Sequence, residues 1–182
     1  MNTPNNRRMQ MSKAMIRDSL IELLETASIE QISVRKLCEN ANVNRSTFYK
    51  YYGSQYELLD EIENELLSSL EYGVSRADGG INYIQLLEFV AEHKREFRTL
   101  LGNHTNTAFE QKIIALPAVT NQIEHRLNGR RYSKTELLYM KKLIINGGLD
   151  LIRTWLTNDC KESPDEVAEI FCRLLGAIVE HF

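Results

Sequence analysis

Residues 29–60 read IEQISVRKLCENANVNRSTFYKYYGSQYELLD, and the fold is decided there. Ser33 is placed to cap a helix, because its hydroxyl can accept a free backbone N–H of the first turn. It predicts a short helix from Val34 to Ala41 with Leu37 and Ala41 turned inward. Asn42 then stands where a tight turn calls for positive φ, which Asn tolerates better than most residues. Val43 plugs the turn from inside. Asn44 caps a second helix, Arg45 to about Tyr52, which stops at Gly53. Ser54 with Glu57 three residues later is a capping box that starts another helix at once. Two short helices across a tight turn form a helix-turn-helix. Its second helix enters the DNA major groove with N-terminal residues toward the base edges.

The side chains of that second helix suit such a task. Phe48 and Tyr52, at i and i+4, anchor it inward, leaving Arg45, Ser46, Tyr49 and Lys50 on an outward face crowded with donors. Arg45 can fork onto guanine, and Ser46 and Thr47 can bond either base or phosphate. Tyr49 offers its ring to a thymine methyl and its hydroxyl to phosphate. Arg35 and Lys36, near the start of the first helix, fall along the sugar-phosphate backbone. A solvated amphipathic face is the bland alternative, but three tyrosines within residues 48–52 fit it poorly.

Outward from this segment the chain reads as all-α, with about nine helices. It has 182 residues, 43% hydrophobic and 26% charged, a globular balance that excludes wholesale disorder. Only Pro4, Pro117 and Pro164 interrupt helix formation. Ile16, Leu20, Leu23, Leu24 and Ala27 share one helical face, as do Ile84, Leu87, Val90 and Phe97. The net charge of −3 argues mildly against a nucleic-acid partner, but its distribution does not. Residues 1–52 carry eight Lys and Arg against five Asp and Glu, leaving −6 for the remainder: a basic head on an acidic body.

The last two helices have a different character. Residues 133–158 are apolar on two sides, with Leu137, Ile144, Leu151 and Trp155 on one and Leu138, Ile145, Leu149, Ile152 and Leu156 on another. Gly147 and Gly148 lie mid-helix, where each costs about 1 kcal/mol relative to Ala unless a close neighbour compensates. Residues 163–182 form a continuous apolar stripe opened by Ser163, Pro164 and Glu166 as cap, first turn and capping-box acid. The two helices are expected to pair with their mates in a second copy as a four-helix bundle, through Ile144, Gly148, Leu151, Phe171, Leu174, Leu175 and Ile178. An intramolecular core built from the same stripes is the alternative.

The motifs Ile32-x-Val34-Arg35-Lys36-Leu37, Ala41 to Tyr52, and Ser54-x-x-Glu57-Leu58-Leu59 together resemble the tetracycline-repressor (TetR) family. The resemblance implies an all-helical homodimer. Its three N-terminal helices, residues 1–53, bind a double-stranded palindromic operator. Its C-terminal domain, residues 54–182, dimerises and binds an effector, usually to control a repressor. By position, Arg35, Arg45, Ser46, Thr47, Tyr49 and Lys50 match the family's base- and phosphate-contacting sites, and Ser33 and Tyr51 match phosphate-touching positions. Asn42 replaces the usual turn glycine, and Gln55 replaces a lysine that commonly reaches phosphate. Gly148, Trp155, Leu156 and Ser163 to Glu166 resemble the C-terminal domain of TetR-type regulators of Gram-positive bacteria. One branch of these activates dihydroxyacetone-kinase operons in response to a protein partner.

Other chemistry finds little support. His93, His104, His125 and His181 lack partners at metal-ligand spacing, so neither metal nor cofactor is expected, and no catalytic motif suggests an enzyme. Cys38, Cys160 and Cys172 are an odd number without pair spacing, and no apolar run approaches a bilayer span. A soluble protein of the reducing cytoplasm is expected. An effector pocket would draw on residues 81–156, with Tyr83, Phe89, His93, Phe97, Phe109, Tyr139 and Trp155 as candidates for an apolar or aromatic ligand. Aromatics at helical spacing more often build core than cavity.

Overall fold

A computed structural model describes residues 4–74, 82–102, 108–117, 119–121 and 132–180; the side chains of 4, 5, 74 and 178–180 lie outside this description. The described residues hold nine α-helices with both ends described, a further helical stretch at 119–121, one 3-10 turn and no strand. The helices are α1 (Pro4–Leu24), α2 (Val34–Asn40), α3 (Arg45–Tyr49), α4 (Gln55–Val74) and α5 (Tyr83–Glu92). They continue as α6 (Lys94–Leu100), α7 (Ala108–Ile114), α8 (Lys134–Thr157) and α9 (Pro164–Glu180). The chain divides into two compact units, Met1–Leu66 with Thr99–Asn106, and Leu67–Arg98 with Thr107–Phe182.

The first unit is closed by apolar side chains of 3.6 periodicity. Ile16, Leu20 and Leu24 of α1 are buried with Ile32, Leu37, Phe48 and Leu58, each at 1% exposure or less. Polar hooks fix how α2 lies against α1. Ser19 donates to the Leu37 carbonyl (3.1 Å), and Asn40 donates to both Ser19 Oγ (3.1 Å) and Glu22 (2.9 Å). Ser33 accepts from the Lys36 N–H (3.2 Å), the expected cap. Asn42 takes φ 51°, as the turn required.

Two local expectations are corrected. The second helix ends at Tyr49 rather than Tyr52, because the Tyr51 and Tyr52 N–H groups both converge on the Phe48 carbonyl (2.9 Å each). Asn44 holds the N-cap position, but its side chain makes no capping bond. The Thr47 N–H that it would accept is bonded instead to the Asn44 carbonyl at 2.9 Å. Gly53 does not take a left-handed φ; its lack of a side chain leaves room for Glu57, whose carboxylate accepts from the Gly53 N–H at 2.7 Å. Ser54 still caps α4 by accepting from the Glu57 N–H (3.2 Å).

In the second unit α9 packs chiefly on α5 and also on α8. Met140, Ile144 and Leu175 form a buried cluster with Tyr83, Leu137, Ile145 and Phe171 against it. Both long C-terminal helices start with full capping boxes, Ser133 with Glu136 and Ser163 with Glu166. The connection between them is strained, with Asp159 (φ 61°) and Cys160 (φ 53°) both left-handed. It is tied to α6 by Asp159, which accepts from Arg98 (2.9 Å) and Lys94 (3.1 Å). These two cations hold the Asp159 carboxyl below its ordinary value. No helix among the described residues is long and apolar enough to cross a membrane.

Candidate nucleic-acid interface

The recognition surface is built on α2 and α3. Ser33, Arg35 and Lys36 stand exposed at the start of α2, and Arg45, Ser46, Tyr49 and Lys50 stand exposed on α3 and its end. Thr47 and Tyr51 are half-buried beside them. All nine residues singled out by the sequence therefore reach the surface of one unit. Phe48, between them in sequence, is fully buried. Tyr49, 57% exposed, meets the Phe48 ring edge-on at 5.5 Å, so an outward ring leans on an inward one.

Electrostatics at this surface are mixed. Arg35 donates to Glu39 at 2.8 Å, and that bond raises its already high pKa. Both partners are exposed, so the pair is worth little and a phosphate can compete for the guanidinium. Glu39, Asn42, Asn44 and Arg45 rim an open polar depression between the end of α2 and the start of α3, floored by Cys38. Burial pushes the Cys38 thiol up, with Arg45 pulling the other way, so it stays a protonated, inert filler.

Tyr52 turns inward as its i, i+4 relation to Phe48 implied, at 2% exposure. What the sequence reading missed is its partner. The Tyr52 hydroxyl donates to Glu61 Oε1 at 3.0 Å, and Lys13 donates to the same oxygen at 3.0 Å. Arg17 lies 3.6 Å from that oxygen and 2.6 Å from Glu65. The signal was present as two matching i, i+4 pairs, Lys13 with Arg17 and Glu61 with Glu65, but only the packing of α1 against α4 reveals that they face each other.

The second unit holds an apolar cavity of about 110 Å³ among α5, α7, α8 and α9. Tyr83, Leu87, Ile114, Ile145, Ile152 and Phe171 are among its walls, and Tyr83 stacks edge-on against Phe171 at 5.1 Å. Of the aromatic candidates read from sequence, Tyr83 lines it; Phe89, His93, Phe97, Phe109, Tyr139 and Trp155 do not. Phe97 and Phe109 are core, 6.0 Å apart and 2% and 0% exposed. Phe89 and His93 stack on each other at 4.4 Å, and Trp155 is buried with its indole N–H donating to the Glu162 carbonyl (3.0 Å). Tyr139 is exposed.

The residues expected at a dimer contact are distributed differently within the chain. Ile144 and Leu175 are buried in the chain's own cluster, and a Cβ on Gly148 would stand 3.3 Å from the Phe171 ring. Leu151 lines the cavity, Leu174 is exposed, and the side chain of Ile178 lies outside the described residues. Exposed apolar surface on these helices comes from Leu174, as expected, and from Leu138, Leu143 and Ile170. Among the described residues no group of His, Cys, Asp or Glu is placed to hold a metal; His104, His125 and His181 lie outside them.

Two short helices across an Asn turn, with cations, hydroxyls and an exposed tyrosine on a buried aromatic seat, define a helix-turn-helix DNA-binding module. Residues 16–62 match the family described as bacterial regulatory proteins, tetR family, and residues 82–176 match a transcriptional regulator C-terminal region of the same family. The chain belongs to the TetR family of transcriptional regulators. It is 21% identical over 177 residues to the HTH-type transcriptional regulator YxbF of Bacillus subtilis, covering 88% of this chain but 43% of that protein's length. Its fold is similar to a TetR transcriptional regulator from Streptococcus agalactiae (TM-score 0.68, 20% identity, 94% of this chain and 97% of the other). It is also similar to the dihydroxyacetone kinase operon activator DhaS (TM-score 0.57, 19% identity, the same coverage).

Proposed function

We propose that this regulator binds a palindromic operator as a homodimer, acting as a cytoplasmic repressor whose DNA affinity is set by an effector. In this reading residues 1–53 contact DNA and residues 54–182 dimerise and sense. Arg45, Ser46, Thr47 and Tyr49 read base edges in the major groove, while Ser33, Arg35, Lys36, Lys50 and Tyr51 hold the phosphates. The observation that carries it is α3 itself. Its donors stand exposed on one side while Phe48 is wholly buried on the other, so the helix presents its polar face outward.

The dimer is assigned to α8 and α9, where Leu138, Leu143, Ile170 and Leu174 leave apolar surface that the chain does not cover itself. The effector is assigned to the cavity beside Tyr83 and Phe171, whose walls call for a small apolar molecule. Regulation as an activator answering to a protein partner is the second reading, favoured by the fold shared with a protein titled an operon activator.

Binding to a duplex enriched from a random-sequence pool tests the main reading. The logarithm of affinity should fall steeply with the logarithm of salt concentration, and the enriched sequence should be a palindrome with half-sites a helical turn or a multiple apart. No binding at low salt would refute it. Sedimentation equilibrium should give a dimer.

A further inference from the structure

The recognition helix is only five residues long, too short to fix its own orientation by internal hydrogen bonds. Burial of Phe48 sets how deep α3 sits, but apolar contact is non-directional and leaves its rotation loosely defined. A hydrogen bond is directional, and one is present at this point. The Tyr52 hydroxyl donates to Glu61 Oε1 at 3.0 Å. The same oxygen accepts from Lys13 at 3.0 Å, and Lys13 Nζ lies 5.2 Å from the centre of the Tyr52 ring. Arg17, 3.6 Å away, adds a second cation. One carboxylate oxygen thus joins α1, the segment following α3, and α4.

From that fixed ring the order propagates outward. Tyr52 packs against Phe48 (5.6 Å, 48°) and meets Tyr51 edge-on (6.4 Å, 71°). Phe48 in turn seats Tyr49, and Lys50 Nζ lies 5.9 Å from the Tyr51 ring. We propose that Glu61 is a positioning residue for DNA recognition, holding the Tyr52 ring so that Tyr49, Lys50 and Tyr51 meet the duplex in a single register. This rests on the DNA-binding reading above. It adds a residue that touches no DNA and lies outside the helix-turn-helix.

The protonation states suit the task. Burial, and then the bond to Glu61, push the Tyr52 phenol up to about 12, so it remains a donor. Burial alone would raise the Glu61 carboxyl, but the bonds from Lys13 and Tyr52 outweigh it and hold it below its ordinary value, so it remains an acceptor.

The test uses the full chain, a duplex that the unmodified chain enriches from a random-sequence pool, and a scrambled duplex of equal length. Tyr52→Phe keeps the ring and removes the bond. It should lower the ratio of enriched to scrambled affinity by about tenfold, the scale of one misread base pair. Affinity for the scrambled duplex, set by phosphate contacts, should change by less than about twofold. Glu61→Leu should lower the ratio as far, whereas Glu61→Gln, whose amide oxygen still accepts from Tyr52, should restore most of it. Both affinities are measured on one preparation, so any loss of folded protein cancels in the ratio. An unchanged ratio in Tyr52→Phe and Glu61→Leu, or an equal loss on both duplexes, overturns the proposal and leaves the DNA-binding reading standing. Failure of the unmodified chain to enrich any sequence overturns both.

Discussion

Phe48 and Phe171 each pack against aromatic neighbours in their own unit, and their surroundings differ. Phe48 is fully enclosed, with Tyr49 and Tyr52 packed on it and the Tyr52 hydroxyl tied to Glu61. Phe171 is half-buried at the wall of an apolar cavity, with Tyr83 on one side and the bare backbone of Gly148 on another. The first interior is filled and finished with directional bonds, which suits a surface that must be presented in one shape. The second leaves space at its apolar wall, as the effector site proposed above requires. The contrast follows from close packing: an interior without voids resists rearrangement, while a void leaves its lining with contacts still to gain.

The largest effect should come from emptying the filled interior. Phe48→Ala should cost about 3–5 kcal/mol in denaturant unfolding and abolish sequence preference, because both neighbouring tyrosines lose their seat. Next in size is an alkaline effect on the hydrogen-bonded side. The unfolded phenol ionises near 10, while folded Tyr52 is pushed up to about 12. The folded state keeps a proton that the unfolded chain gives up. This stability is therefore fully present below pH 10 and lost between pH 10 and 12, by up to roughly 2–3 kcal/mol. Unfolding free energies across that range should show the fall, and Tyr52→Phe should flatten it.

Arg45→Ala should leave the fold intact and cost about 1–3 kcal/mol in affinity for the enriched duplex, relaxing preference at one base position. Lys36→Ala, by contrast, should weaken all duplexes alike and reduce the salt slope by about one. The smallest effect belongs to the other unit. Gly147 is exposed in α8 and a Cβ there would meet nothing within 4 Å, so Gly147→Ala should stabilise by about 0.5–1 kcal/mol in a thermal melt. A loss of stability would instead place Gly147 at a close helix contact with another chain.

Features that depend on a few neighbouring residues were legible. The cap at Ser33, the positive φ of Asn42 and the Ser163–Glu166 box each involve groups within three residues of one another, and each is found. The inward turn of Phe48 and Tyr52 followed from helical spacing alone. The bond from Asn40 to Ser19 was not legible, nor was that from Lys13 to Glu61, since their partners lie 21 and 48 residues away. Within the expected stretch, residues 81–156, the side chains that line the cavity were not legible for a related reason: aromatic character marks a residue for burial without saying whether it meets core or space. Phe97 and Phe109 meet each other, whereas aliphatic Ile145 and Ile152 line the void.

Read alone, the residues determined an all-helical chain with a helix-turn-helix beginning at Val34, because capping, turn chemistry and a 3.6-residue period are written into neighbouring positions, and its motifs carried the resemblance to the TetR family. Tertiary structure decided which stripes the chain covers for itself, where the void falls, and that one oxygen of Glu61 holds the recognition segment. Those outcomes depend on which distant side chains meet when helices pack, and that geometry is set by the whole fold rather than by any local pattern.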